Sequence, residues 1–242
     1  MGYPNRRNKG GIEFNYLTPT EYRFLQDGLA SIYRFPGHIE PMFGQIFEDL
    51  FAEMKQGEVI KTGSRSSVDV VGNTGIKFSL KTKMLRTNLP VENYFCKKID
   101  IQFSKISREK LFIKNNYDLN IFQENINNIY NKFQEQIDRQ VFLIRVLDSK
   151  MGSRGIFLYW EQPFEVIDFK GYKIFENQGG KGVDKNRFES QIRLKSSPTK
   201  FFWTSASQSL VVYYKIPEDA DIIIINKDSP KMSWPEFIEK VK

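Results

Sequence analysis

The chain has 242 residues, 40% of them hydrophobic and 27% charged, which is the composition of a globular rather than a disordered protein. That length allows one sizeable core, or a catalytic core with a small appended lobe, and no stretch reaches the roughly 18 apolar residues of a membrane helix. The basic opening MGYPNRRNKGG runs into no apolar segment of a secretory signal, and Cys96 is the single cysteine, so a disulfide framework and a Cys-based zinc site are excluded.

These features predict a cytoplasmic protein with no membrane partner. The formal net charge of +7 favours a polyanionic partner, because each cation set against a phosphate releases condensed counterions.

Residues 1–17 read as a polar arm. A helix is predicted from Thr18, with Pro19 in its first turn, Glu21 at the capping-box position and an apolar face of Tyr22, Leu25, Leu29 and Ile32. Pro36 and Gly37 end it. A second helix is predicted over about 41–55, with Phe43, Phe47, Leu50 and Met54 on one side and Gly57 at its end.

The period then changes to two. SVDVV (67–71) and IKFSLK (76–81) read as antiparallel strands joined by Gly72-Asn73-Thr74-Gly75. A third strand is predicted near 98–104, then a long amphipathic helix over about 118–138 carrying Phe122, Ile126, Ile129, Phe133 and Ile137. VFLIRVL (141–147) is an apolar run broken only by Arg145, as in a strand buried on both faces. Beyond it, strands are predicted at 155–160, 188–194, 200–204, 209–215 and 221–226, with a terminal helix near 233–241.

The order of elements predicts an α/β fold: a mixed central sheet flanked by helices, with a β-rich C-terminal half. A single domain is expected over 1–242. Its catalytic core would cover about 18–150 and its β-rich recognition part about 151–242.

Cutting a phosphodiester with a bound metal requires carboxylates to hold Mg²⁺, a cation to balance developing phosphorane charge, and an activated water. A hairpin can supply an acid and a lysine on adjacent strands, and a helix packed behind can supply a second acid. Glu48, Asp69 and Lys81 fall in that order, each charged in apolar surroundings: IFEDLF, SVDVV and FSLK. Any one of them alone reads more simply as a solvated surface residue; the three together point to a site. His38 is the only histidine and cannot form a multi-histidine site.

GSRSSVDVVGNTGIKFSLKTK resembles the PD-(D/E)xK signature of restriction endonucleases, in which an Asp opens a hairpin and an acid-x-Lys triplet closes it. The preceding GQIFEDLF (44–51) is similar to the G-x-x-x-E helix of the mismatch-repair nicking endonuclease and its restriction-enzyme relatives. The resemblance covers roughly residues 40–150 and implies a restriction-endonuclease-like core with Asp69, Glu48 and Lys81 catalytic and Asp69 and Glu48 metal-bound. It departs from the signature at Val68, which stands where the proline is usual, and at Ser79, which stands where the first acid of the triplet is expected. Relatives with S-x-K recruit a later glutamate; Glu92 and Glu109 are the candidates here, with Glu48 as the alternative.

The implied function is Mg²⁺-dependent cleavage of double-stranded DNA at a short specific sequence, by a type II restriction endonuclease. A homodimer would match a palindromic site, with a monomer that nicks the strands in turn as the alternative, and a cognate DNA methyltransferase would accompany it. The alternatives are a structure-specific repair or recombination nuclease and an inactive sequence-specific DNA-binding protein. For DNA contact, the Gly-rich stretch 177–193 offers Lys181, Lys185, Arg187, Gln191 and Arg193, and its bland reading is a solvated hairpin tip. Arg65, Ser66 and Lys83 flank the signature and could reach backbone phosphate.

Overall fold

The computed structural model describes residues 15–33, 43–60, 67–87, 91–95, 97–112, 118–148, 155–176 and 193–225, with 229, 232–233, 236 and 239–240. The described helices are α1 (Pro19–Tyr33), α2 (Phe43–Met54), α3 (Arg108–Leu111) and α4 (Leu119–Gln134). The first strands are β1 (Glu58–Val59), β2 (Val70–Val71), β3 (Lys77–Thr87), β4 (Lys98–Lys105) and β5 (Arg139–Asp148). They are followed by β6 (Gly155–Pro163), β7 (Lys173–Glu176), β8 (Arg193–Ser197), β9 (Phe201–Thr204), β10 (Ser209–Lys215) and β11 (Asp221–Ile225). The fold is α/β, with a mixed sheet flanked by helices and a second, antiparallel sheet.

Contacts group the chain differently from a cut near residue 150. One compact unit comprises Met1–Phe95, Gln134–Glu165 and Pro217–Lys242; the other comprises Cys96–Phe133 and Val166–Ile216. The reason is the β5–β6 hairpin, which pairs residue by residue from Arg139↔Pro163 to Val146↔Ile156 and so carries one sheet across that boundary.

The first unit holds the six-stranded sheet β1-β2-β3-β5-β6-β11, in which only β3 and β5 run parallel. Helix α1 begins with the expected capping box: Thr18 N–H donates to Glu21 Oε2 at 2.9 Å, and Glu21 N–H donates to Thr18 Oγ1 at 3.2 Å. Leu25, Leu29 and Ile32 of α1 and Ile46, Phe47, Leu50 and Phe51 of α2 are buried with Val70, Phe78, Leu80, Val141 and Leu143 of the sheet. Strand β5 is central and buried on both faces, as its apolar run predicts. After α2, Gly57 is required, because a Cβ there would lie 2.2 Å from the Val71 carbonyl oxygen. The turn after β2 places Gly75 at φ +79°, a conformation that costs glycine little.

A buried ionic cluster ties α2 to the sheet. Just past the helix end, Lys55 Nζ lies 2.8 Å from both Glu21 Oε1 and Glu161 Oε1. Glu161, on β6 and 2% exposed, also accepts from the Tyr159 hydroxyl and faces Arg139 Nε at 3.7 Å.

The second unit holds the antiparallel sheet β4-β10-β9-β8-β7. Strand β4, expected in the central sheet, pairs here with β10 instead. Its pattern explains this: Ile99 and Ile101 are buried while Lys98, Asp100 and Gln102 are exposed, which suits a sheet with one open face. The buried stripe of α4 is Phe122, Ile126 and Tyr130, whereas Ile129 and Phe133 are only half-buried and Ile137 lies beyond the helix. Tyr130 rather than Ile129 completes the stripe because it stacks edge-on against Phe169 at 5.0 Å and also meets Phe103.

Candidate active site

Asp69 precedes β2 directly, and its backbone already follows the hairpin ladder: Asp69 N–H donates to the Phe78 carbonyl at 2.9 Å. Val70 and Phe78 face each other on the core side. By alternation, Asp69, Ser79 and Lys81 therefore share the opposite face of the hairpin. Lys81 stands in the interior of an 11-residue strand rather than at its end, since β3 continues to Thr87 alongside β5. Lys83 is the next residue on that face and is half-buried.

The carboxylate of Asp69 is held from one side. Its Oδ2 accepts from the Leu80 N–H at 2.6 Å and from Ser79 Oγ at 3.2 Å, and lies 3.8 Å from Lys81 Nζ. All three contacts fall on Oδ2. Ser79 itself is 1% exposed and opposes Gln140 on β5, a fully buried side chain.

Glu48 comes from α2. Helix burial separates it from its neighbour: Asp49 is buried, whereas Glu48 is half-buried. Burial raises the Glu48 carboxyl to about 7, the negative charges of Asp69 and Asp49 push the same way, and Lys81 opposes them. Lys81 lies 3.8 Å from Asp69, and the charges of both act on the Glu48 carboxyl, so the structure brings these three into one neighbourhood.

The remaining expectations fare differently. The 3-10 turn Val91–Tyr94 contains the Glu92 backbone, but its side chain lies outside the described residues. Glu109 is exposed on α3 of the second unit. Arg193 opens β8 with its guanidinium 4.2 Å above the Phe202 ring. Arg65, Ser66, Lys181, Lys185, Arg187 and Gln191 lie outside the described residues, as do His38 and Cys96. Gln140 was not anticipated. Its signal was a neutral polar residue at the head of an apolar buried run, on the strand beside Ser79.

Two hard-oxygen donors on separate elements suit Mg²⁺, which takes one or two carboxylates and fills its octahedron with water and substrate phosphate. The upward shift at Glu48, caused first by burial and then by a second carboxylate, is what a divalent cation would relieve. Among the described residues, no group of three or more His, Cys, Asp or Glu side chains is assembled for a metal. The two carboxylates would fit a Mg²⁺ that keeps most of its shell as water and substrate oxygen.

Fold and site define an α/β protein whose mixed sheet carries an Asp–Lys hairpin, with the carboxyl of a helix-borne glutamate sensing both charges. Comparison with known protein families, curated proteins and solved structures finds no match. Among the described residues no helix is long and apolar enough to cross a membrane.

Proposed function

We propose that this protein is a Mg²⁺-dependent DNA endonuclease, of the type II restriction class, that hydrolyses double-stranded DNA at a short specific sequence. The observation that carries the reading is the convergence of Glu48, Asp69 and Lys81 from three segments, with both other charges acting on the Glu48 carboxyl. Asp69 and Glu48 would hold the ion, which when bound supplies Lewis-acid polarisation of a phosphate oxygen and a more acidic water. Lys81 orients the attacking water and balances charge on the phosphate as it builds. Ser79 and the Leu80 N–H keep Asp69 aimed. A homodimer would present two such sites to the strands of a palindrome.

The test is digestion of a mapped plasmid by purified protein with Mg²⁺, followed by sequencing of the ends. Discrete fragments with a shared terminal sequence support the reading. Ends without a shared sequence, clustered at branches or mismatches, would move it to a structure-specific nuclease.

Ser79 favours a second reading, since it leaves two carboxylates where the signature and helix together would give three. That reading is a DNA-binding protein without cleavage. It predicts sequence-selective retention of DNA fragments and intact DNA after prolonged incubation with Mg²⁺.

A further inference from the structure

We infer that the open face of the second unit's sheet is a binding surface for single-stranded DNA. The two faces of this sheet differ: across β8, β9 and β10 one is buried, whereas the other is exposed or half-buried except at Ser209 and Val211. Leu194, Phe201, Trp203, Leu210, Val212 and Tyr214 are buried on one side. Register puts the other residues of these strands together: Lys98 opposes Lys215, Tyr213 opposes Asp100, Phe202 opposes Lys195, and Arg193 opposes Thr204.

Two properties of that open face point to one occupant. Its charge is strongly one-sided: among the described side chains, Lys98, Lys195, Lys215 and Arg193 stand with Lys173 of β7 against one carboxylate, Asp100. That pattern complements a phosphate backbone. At its centre lie rings, with Phe202 and Tyr213 centroids 5.8 Å apart and the Arg193 guanidinium 4.2 Å over Phe202. Arg193 Nε is buried with no hydrogen-bond partner among the described residues, while the guanidinium lies over the Phe202 ring. Half-exposed rings interleaved with cations make a platform for unstacked bases, because every base has a π face.

Size decides between single and double strands. Five strands at about 4.8 Å spacing span about 19 Å, whereas the major groove of B-DNA is about 12 Å wide. The sheet cannot enter the groove, and a duplex laid on it would offer phosphates while withholding its bases from the rings. A single strand can offer both. The choice of DNA over RNA rests on the nuclease reading above; the preference for an unpaired strand rests on this face alone.

The test is fluorescence anisotropy of the full chain in EDTA, which prevents cleavage. The probes are a labelled 20-mer of oligothymidylate, a mixed-sequence duplex of equal length and a 20-mer of oligouridylate. The single DNA strand should bind about tenfold or more tightly than the duplex, and more tightly than the RNA. Tyr213→Leu and Phe202→Leu keep apolar bulk but remove a ring, and each should weaken that binding about tenfold. Lys195→Ala and Lys215→Ala should each lower the slope of log affinity against log salt by about 0.7. Melting curves identify any variant that fails to fold, and the exposed Lys215→Ala still reads the surface if both ring variants are lost. Duplex binding as tight as single-strand binding, tighter RNA binding, or unchanged affinity and slope in every folded variant overturns the inference. Absence of DNA cleavage in Mg²⁺ bears on the nuclease reading only.

Discussion

Ser79 Oγ donates a hydrogen bond to Asp69 Oδ2 across the hairpin at 3.2 Å. The residue that departs from the acid-x-Lys pattern is therefore a support for the remaining acid. Ser79→Ala removes one such bond and should cost about 0.5–1.5 kcal/mol of stability and under about tenfold in cleavage rate. Asp69→Asn should abolish cleavage in Mg²⁺, because an amide lacks the charge that holds a hard cation. In a Glu48→Gln background, Ser79→Glu should restore part of the lost rate, since residues 79 and 81 share a strand face. Single-turnover rates for the four variants check this; a double variant no faster than Glu48→Gln would show that a carboxylate at 79 cannot serve.

Lys81 lies 3.8 Å from Asp69 and is 16% exposed at its side chain. Lys81→Ala should lower the cleavage rate by about 100-fold or more while DNA binding in Ca²⁺ changes little, because the lost contact acts on charge that develops in the transition state. Filter binding and cleavage on the same DNA separate the two. A rate within tenfold of the parent would remove Lys81 from the site.

Glu48 sets a pH dependence. Its carboxyl is raised from 4.5 to about 7 by burial first, then by Asp69 and Asp49. Between those values the folded protein binds more protons than the unfolded chain, so metal-free stability falls as pH rises through the window. Metal binding has the opposite trend, since a protonated Glu48 must lose its proton to ligate. Melting temperature in EDTA should therefore decline between pH 5 and pH 8, less steeply in Glu48→Gln, while apparent Mg²⁺ affinity in the parent rises over that range. Identical pH slopes in parent and variant would show that the carboxyl titrates elsewhere.

The buried cluster at Glu161 predicts a stability effect without a direct role in chemistry. Lys55 is paired at 2.8 Å with both Glu21 and Glu161, and Glu161 is almost wholly buried. Lys55→Ala leaves that carboxylate with Arg139 at 3.7 Å as its cation and the Tyr159 hydroxyl as a neutral donor, and should destabilise the fold by about 3–5 kcal/mol. Lys55→Met with Glu161→Gln should recover much of this loss, because neither residue then carries a buried charge. Urea unfolding of the single and double variants gives the comparison; equal loss in both would assign the effect to packing.

Local physics made much of the fold legible in the chain itself. The Thr18–Glu21 capping box, the apolar stripes of α1 and α2, the Gly72–Gly75 turn and the doubly buried run of β5 each depend on near neighbours, and each forms as the sequence predicts. Glu48, Asp69 and Lys81 were also legible as candidates, since charge in an apolar setting is a local signal. Partner choice between distant segments was not. Whether β4 joins β5 or β10 depends on which sheet has a face open for Lys98, Asp100 and Gln102, and the β-rich segments divide between two units for the same reason. Only the tertiary structure joins Lys55 to Glu161, gives Ser79 its place against Asp69, and brings the charges of Asp69 and Lys81 to bear on Glu48. Long-range electrostatics and desolvation act across space, and sequence spacing carries no record of them.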